Sequence, residues 1–408
     1  DPDIYDHRNI HCDVLVVGGG ISGILAAKNA AKNNFKTLLV DEKNELGGAT
    51  IYQNREFNKI NNQSSSDWIK KEIQELRNIK NLEIKTRTSV AAYHGYNYLL
   101  ARENLTDHLE KKDKQGKIRQ RLLKIRAKKV ILATGALERP LIFNNNDRPG
   151  IMLSSAVKKY ADFYGVVSGK KNIFFTNNDS AYESALCLHN KGIKVEAVID
   201  IREKSDSNIV KVVEKAGITI HWSHTIVDTK GYKKLNSISV MKLSNDGLSV
   251  TGNKIDISCD CLGVAGGWTP AVHLFTQSGG KLTFDENDKV FLPNKYPSDQ
   301  LSVGSCNGDF KIKAIINNLS TNLKKFLNIE KTDFDNLSVD SEEENSKRNI
   351  WLLPSDKPIG KTKPFVDYQN DATAKDIKLA LREGFRSIEH VKRYTTTGMG
   401  TDQGKLGN

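Results

Sequence analysis

Three glycines, Gly18, Gly20 and Gly23, stand at G-x-G-x-x-G spacing in the run DVLVVGGGISGILAAKNAAKNN. Such spacing carries chemistry when it lies between a buried strand and a helix, as the apolar run before it and the helical apolar spacing after it require. Gly18 then permits the tight turn, Gly20 lets a pyrophosphate approach the backbone, and Gly23 lets the helix pack close to the strand. Around Ser22 the helix N-terminus presents free N–H groups and a partial positive charge to the phosphates. Asp41 closes the next apolar run, KTLLVDE, about twenty residues on, where a carboxylate accepts hydrogen bonds from the adenosine ribose. Asp41 and Glu42 together repel a ribose 2′-phosphate, so the pattern favours NAD or FAD over NADP.

These residues need elements to hold them. DVLVV and KTLLV read as buried parallel strands, and residues 66–80 (SDWIKKEIQELRNIK) as a helix opened by Ser and Asp. LEIKTRTSVAAYHGY and the segment up to about Arg126 alternate like a small antiparallel sheet, and KKVILATG reads as a short closing strand. Near Lys170 the pattern begins again with KKNIFFTNN, DSAYESALCLHNKG and KVEAVID, a second nucleotide-domain-like unit that runs to ISCDCLGVAGG. KVFLPNKYPSDQLSVGSCNG reads as a return to the first domain, and KTDFDNLSVDSEEENSKRN as a linker or mobile loop. Beyond Trp351 the spacing predicts one helix over 374–392, capped by Thr373, with an apolar stripe at Ile377, Leu381, Phe385, Ile388 and Val391.

Composition narrows the function classes. With 408 residues and 38% hydrophobic content the chain suits a globular protein of two or three domains. It has no apolar run long enough to cross a bilayer, and the start DPDIYDHRNIH lacks the core of a secretory signal, so a cytoplasmic protein without a membrane role is expected. A first residue that is Asp rather than Met suggests a processed chain or an excerpt. The net charge of +12 is spread over lysines that stand beside acids, a pattern of solvated surface rather than of nucleic-acid binding. Five cysteines in no framework spacing read as reduced thiols, and Cys259 and Cys261 as strand packing rather than metal ligands. His11, His189, His221, His224, His273 and His390 lack an acid at telling spacing, and no Ser/His/Asp or paired-carboxylate arrangement is present, so no catalytic residue is assigned.

Glu45-Leu46-Gly47-Gly48 and Ala133-Thr134-Gly135 resemble turns of the two-dinucleotide-domain flavoproteins, the relatives of glutathione and thioredoxin reductases, over roughly residues 12–320. The resemblance implies an α/β fold of two Rossmann-like nucleotide-binding domains of the disulfide-reductase flavoprotein type, here with a C-terminal helical extension. It implies a first domain over 1–165, a second over 166–270, a return to the first over 271–328, an acidic linker over 329–350 and a tail over 351–408. In that family the Gly-Gly turn lies near the pyrophosphate, the segment matching Thr88–Ala91 touches adenine, and the Thr-Gly turn leads to the second domain. The candidate cofactor set is therefore Gly18, Gly20, Ser22, Gly23, Asp41, Glu42, Lys43, Gly47, Gly48, Ala49, Val90, Thr134, Gly135, Gly304 and Ser305. Three departures matter. No cysteine pair follows Gly48, which argues against disulfide reduction. The second glycine turn is Thr176-Asn177-Asn178-Asp179-Ser180-Ala181, without glycine and with an acid opposed to phosphate, so no second dinucleotide is expected there. The late Gly-Asp motif is replaced by Val303-Gly304-Ser305-Cys306-Asn307-Gly308, which weakens FAD and favours a ligand without ribitol.

A more specific resemblance is carried by IYDHRNIHCDVLVVGGG, VDEKNELGG, ATGALERPLIF with DRPGIM, TNNDSAYESA, and above all FVDYQND with AKDIKLALREGFRSIEHVKRYTTTGMGTDQGK. These are similar, over essentially the whole chain, to α subunits of heterotetrameric sarcosine oxidases. The resemblance implies NAD in the first nucleotide domain, with FAD and the amine on the β subunit. It places FMN at the boundary with β, where Lys392, Arg393, Lys405 and Thr395–Thr397 suit a flavin phosphate or a partner, or form a plain helix exit. It further implies smaller subunits and tetrahydrofolate bound through a domain that, like an N-terminal ferredoxin-like domain, this sequence lacks. A fragment or a naturally split subunit is expected, inactive alone. The rival expectations are a self-contained FAD/NAD(H)-dependent oxidoreductase and a non-catalytic scaffold with structural NAD.

Overall fold

A computed structural model describes residues 3–52, 58–297, 299–341 and 347–405. They form two compact units, one from Asp1–Ala136 with Thr269–Glu342, the other from Leu137–Trp268 with Glu343–Asn408.

The first unit is built on a seven-stranded sheet in the order Leu82–Lys85, Thr37–Val40, Ile4–Val17, Ile118–Leu132, Tyr98–Asn104, Thr88–His94, with Gln300–Ser302 paired to Ile118–Leu132. Val14 to Val16 and Leu38 to Val40 are almost wholly buried, as parallel strands covered on both faces must be. The strand expected from Cys12 begins at Ile4, and the expected short KKVIL strand is the end of one long strand, Ile118–Leu132. The two run parallel from Ile4↔Ile118 to Val17↔Leu132. The outer half of Ile4–Val17 is mostly polar and exposed, so it carried no apolar signal, whereas that of Ile118–Leu132 alternates, with Leu123 and Ile125 buried. Ile118–Leu132 also joins the expected separate antiparallel sheet to the main one. It pairs antiparallel with Tyr98–Asn104 through Gln120 to Arg126, then parallel with Gln300–Ser302 through Val130 to Leu132.

Helix Ile21–Lys32 lies buried on this sheet, and its Lys28 is matched by Glu72 and Glu75, each at 2.6 Å, on helix Ser65–Leu76. Ser64 caps that second helix by accepting from the Asp67 N–H at 3.1 Å. The expected acidic linker is ordered in its first part. Asp335 takes Lys324 at 2.8 Å and the Thr332 N–H at 3.0 Å, Phe334 is buried, and Val339–Ser341 pairs with Asn58–Ile60. Residues 342–346 of that stretch lie outside the described residues. Its polar composition masked three apolar residues, Phe334, Leu337 and Val339, that pack on the core.

The second unit has a five-stranded parallel sheet ordered Ile151–Leu153, Cys261–Ala265, Asn172–Thr176, Val195–Asp200, Thr219–Trp222, and a three-stranded antiparallel sheet of His224–Lys230, Ser237–Leu243 and Val250–Ser258. Because Ile151–Leu153 pairs with Cys261–Ala265, residues 137–165 belong to this unit and not to a first domain ending at 165. Ser223, at φ 54°, breaks ITIHWSHTIVDTKG into two strands of different sheets. The tail folds onto this unit rather than standing apart. Asn144 Oδ1 accepts from the Lys363 N–H at 2.8 Å, Asn145 N–H donates to the Lys363 carbonyl at 2.9 Å, and Asn146 bonds both the N–H and the carbonyl of Phe365.

The single helix expected over 374–392 is two, Ala374–Arg382 and Ile388–Thr395. Thr373 and Asp376 form a capping box at the start. Gly384, at φ 95°, ends the first helix: its N–H reaches the Leu381 carbonyl and the Phe385 N–H the Ala380 carbonyl, a closing pair that needs a left-handed residue. The expected stripe is split accordingly, with Val391 buried but Leu381 and Ile388 exposed at 42% and 78%.

Glu138 is a buried acid of this unit whose carboxyl is strongly shifted. Desolvation pushes its carboxyl up to about 7, and the Ser155 hydroxyl, the Ser155 N–H at 2.9 Å and the Lys158 charge offset this only in part. A carboxyl raised in the folded state carries no penalty below its unfolded value; the penalty grows as pH rises above that value and is complete once pH passes the folded one. Glu138 should therefore lower stability progressively between about pH 4.5 and pH 7, by roughly 3 kcal/mol in all. Denaturant titrations across this window should show the decline, and Glu138→Gln should flatten it; an unchanged slope in the variant would refute the assignment.

Candidate functional site

The site begins where Val17 leaves the sheet. The Gly18 N–H donates to the Val40 carbonyl at 2.8 Å and the Ala133 N–H to the Val17 carbonyl at 2.8 Å, so the turn is pinned to both neighbouring strands. There is no room for side chains beneath it. A Cβ on Gly23 would fall 1.8 Å from the Gly18 carbonyl oxygen, and one on Gly18 would fall 2.2 Å from that of Ala133. Gly20 is the opposite case: it has ordinary extended geometry, φ −74° and ψ −176°, and a Cβ there would meet nothing within 4 Å. The glycine at this position thus borders open space at the start of helix Ile21–Lys32. That helix has no side-chain cap and no acid in its first turn, so its leading N–H groups are available to an anion.

Asp41 is buried and fully engaged by the backbone. Its Oδ2 accepts from the Gly19 N–H at 2.5 Å and its Oδ1 from the Lys43 N–H at 2.7 Å. Each oxygen keeps a further lone pair. The Asp41 carbonyl accepts from Thr88 and the Lys43 carbonyl from Arg87, both at 2.8 Å, which brings the Thr88–His94 strand to this corner. The Gly47 N–H donates to the Gly19 carbonyl at 2.7 Å, and a Cβ on Gly48 would fall 2.9 Å from Gly20 Cα, so the Gly-Gly turn lies directly against the first. Gly304 closes the other side. A Cβ on it would fall 2.2 Å from Ser22 Oγ. Thr134 Oγ1 donates to the Ala271 carbonyl at 2.7 Å, leaving Gly135 at φ 73° with open space at its Cβ position.

The expected residues therefore gather around one turn, with distinctions among them. Glu42, Lys43 and Ala49 have exposed side chains, and of these Lys43 bonds into the corner through its backbone. Val90 directs its side chain into the core that contains Val17 and Val40. Ser305 Oγ donates to the Asp309 carbonyl at 3.1 Å. Sequence reasoning passed over Leu46, whose side chain packs on Gly19 so closely that a Cβ there would meet it at 2.3 Å. It also gave Cys306 no role. The thiol is wholly buried, lies 3.2 Å from the carbonyls of Leu132 and Val303, and is pushed up by burial, so it ties the late segment to the sheet. Neither had a signal beyond apolar character.

The turn that corresponds to this one in the second unit, Thr176 to Ala181, is filled by its own side chains. Asn178 Oδ1 accepts from the Ser180 N–H at 2.9 Å and from the Ser180 hydroxyl at 2.6 Å, at the start of helix Ser180–Asn190. Asp179 pairs with Arg202 at 2.8 Å, Arg202 with Asp200 at 2.7 Å, and the Tyr182 hydroxyl donates to Asp200 at 2.7 Å. Among the described residues no group of three or more His, Cys, Asp or Glu is arranged to hold a metal ion, and no helix is long and apolar enough to cross a membrane.

Comparison with known proteins agrees with this geometry. Residues 12–298 match the family model for pyridine nucleotide-disulphide oxidoreductases, and residues 361–408 match that for the sarcosine oxidase A3 domain. The chain is 36% identical to a sarcosine oxidase subunit alpha of Corynebacterium sp. (strain P-1), across 99% of its own length and 42% of that relative's. It is 33% identical to the subunit alpha of Rhizobium meliloti (strain 1021), across 100% of its own length and 40% of the other's. It thus spans about two fifths of these curated relatives. Among solved structures, the L-proline dehydrogenase from P. horikoshii superposes with a TM-score of 0.69 at 20% identity, covering 98% of this chain and 72% of that one. The thioredoxin reductase of Lactococcus lactis gives 0.58 at 20% identity, covering 78% and 98%. With a family model covering most of its length and both dinucleotide-fold units in place, the chain belongs to the pyridine nucleotide-disulphide oxidoreductase family.

Proposed function

We propose that this chain is the NAD-binding part of the α subunit of a cytoplasmic, heteromeric sarcosine oxidase. The carrying observation is the unbroken similarity to such subunits from the first glycine turn through the A3 segment at 361–408. The pyrophosphate would lie at Gly20 on the N–H groups of the first helix turn, with Asp41 on the adenosine ribose and the Gly47-Gly48 backbone alongside. Gly20 supports this directly, because its Cβ position is open while the glycines on either side of the motif are crowded. Thr134 and Gly135, with Gly304 and Ser305, border the remainder of the ligand. FMN would sit at a boundary with the β subunit, near the A3 segment. The flavins supply the electron transfer, and this chain's residues bind and position rather than exchange protons with the amine. The complete enzyme would demethylate sarcosine to glycine, form hydrogen peroxide from oxygen and pass the one-carbon unit to tetrahydrofolate.

The second reading is a self-contained FAD/NAD(H)-dependent oxidoreductase, which the family's flavoprotein fold favours. A scaffold with structural NAD differs only in whether the nicotinamide changes redox state during turnover. Mass spectrometry of ligands released from the purified native complex decides between the first two. NAD released alongside the flavins, at one per copy of this chain, supports the sarcosine-oxidase reading, whereas FAD released without NAD overturns it.

Substitutions test the cradle. Gly20→Val should abolish dinucleotide binding while leaving the thermal midpoint of the free chain nearly unmoved; normal occupancy in the variant would place the ligand elsewhere. Gly23→Val should instead cost at least about 3 kcal/mol of stability, since a side chain there collides with backbone. Asp41→Ala should weaken binding by roughly 1–3 kcal/mol, and should also lower the stability of the ligand-free chain because two N–H groups lose their acceptor. Unchanged NAD retention would sink the assignment of Asp41.

The A3 segment separates subunit from self-sufficient enzyme. The isolated chain should oxidise neither sarcosine nor NADH at an appreciable rate. Deleting the residues after Gln369 should remove FMN from the reconstituted complex while NAD stays bound. Sustained NADH oxidation by the isolated chain with added FAD would promote the second reading.

A further inference from the structure

In an open parallel sheet, ligands bind in the crevice outside the carboxyl ends of the strands, where the strand order reverses. In the second unit that point lies between Cys261–Ala265 and Asn172–Thr176, with Val195–Asp200 next in order. The three residues that follow these adjacent strands are Gly266, Asn177 and Ile201. All three are bonded to one short stretch of the chain's own C-terminal part. The Arg348 N–H donates to the Asn177 carbonyl at 3.4 Å, and Asn177 Nδ2 returns a bond to the Arg348 carbonyl at 3.2 Å. The Arg348 guanidinium reaches the Ile201 carbonyl at 2.7 Å. Trp351 Nε1 donates to the Gly266 carbonyl at 2.7 Å.

Further contacts fasten the same stretch. The second arm of Arg348 donates to the carbonyls of Ser244 and Asn245 at 2.9 and 2.7 Å, the Arg139 guanidinium lies 4.3 Å over the Trp351 ring, and Leu353 is buried. Ile142 N–H donates to the Trp351 carbonyl and Leu353 N–H to the Ile142 carbonyl, at 2.7 and 2.8 Å. A guanidinium whose two terminal nitrogens hold three carbonyls is a charge-assisted anchor.

We propose that the nucleotide crevice of the second unit is a socket for the chain's own 347–353 strap, anchored by Arg348, and that this socket takes no pyridine nucleotide while it seats the stretch that leads into the A3 segment. The crevice's backbone acceptors are spent on the strap. The phosphate turn is spent on Asn178, and Arg202, the cation at the end of the second strand, is spent on Asp179 and Asp200. A nucleotide therefore has neither volume nor partners unless the strap leaves. This inference stands apart from the sarcosine-oxidase reading, because it concerns only contacts within the second unit.

The test is hydrogen exchange on the full chain, together with calorimetric titration of NADH and NADPH. In the wild type, peptides covering 347–353 should be protected, and neither nucleotide should bind beyond the one site of the first unit. Arg348→Ala should speed exchange of 347–353 by at least about tenfold while peptides covering Val195–Asp200 stay protected. Exchange of the strap at the wild-type rate would overturn the anchor, and a second nucleotide bound with the strap still protected would overturn the socket. Should Arg348→Ala also expose Val195–Asp200, Arg348→Lys decides, because it keeps the charge and loses the fork: faster exchange confined to 347–353 supports the proposal, and wild-type exchange refutes it.

Discussion

Backbone meeting backbone at the first crossover is the constraint on which the candidate site depends. The Gly18 carbonyl occupies the place where any side chain at position 23 would begin, so the first helix lies against the strand at the shortest distance a polypeptide allows. That approach aims the helix N-terminus at the turn and leaves Gly20 on an open rim. The Gly47-Gly48 turn and Gly304 close on the same point because they too lack side chains. The cradle is thus defined by what is missing from five positions more than by any side chain it presents.

Asp41 shows how such a cradle is held in shape before a ligand arrives. Its two oxygens each take a backbone N–H, one from the glycine turn and one from the start of the next loop, so a single carboxylate spans both. Under the proposed function, the remaining lone pairs are those that would accept from the ribose, on a carboxylate already fixed by two backbone bonds. Preorganisation of this kind lowers the ordering cost of binding.

The same strand-turn-helix topology carries opposite chemistry in the second unit. Open backbone in one case becomes, in the other, an Asn178 side chain bonded into the turn, a buried acid-arginine-acid chain and a strap across the strand ends. A Rossmann-like sheet presents unsatisfied groups at its carboxyl edge, and those groups must find partners whether or not a ligand is present. Here the chain supplies them itself. Fold and ligand binding are therefore separable within one molecule.

Local rules made much of this legible in the sequence. The glycine spacing, the acid at the end of the second strand, the restart near Lys170, the loss of glycine at Thr176 to Ala181 and the Thr373 cap each depend on residues within one or two turns of each other. Periodicity and capping report such relations faithfully. It was contacts distant in the chain that had no sequence signal. The polar outer half of Ile4–Val17 is a strand because it pairs with Ile118–Leu132, a partner far along the chain. Phe334 and Val339 are ordered by a core that joins the first strands and helices of the chain to the nearby helix Ile312–Leu327. Gly384 stood inside an apolar pattern that suited one helix, and its left-handed closing bonds split that pattern in two. Arg348 looked like one cation in an acidic stretch. Its place across two adjacent strand ends was decided by tertiary structure, because backbone carbonyls have no sequence identity and only the fold brings them to a common point.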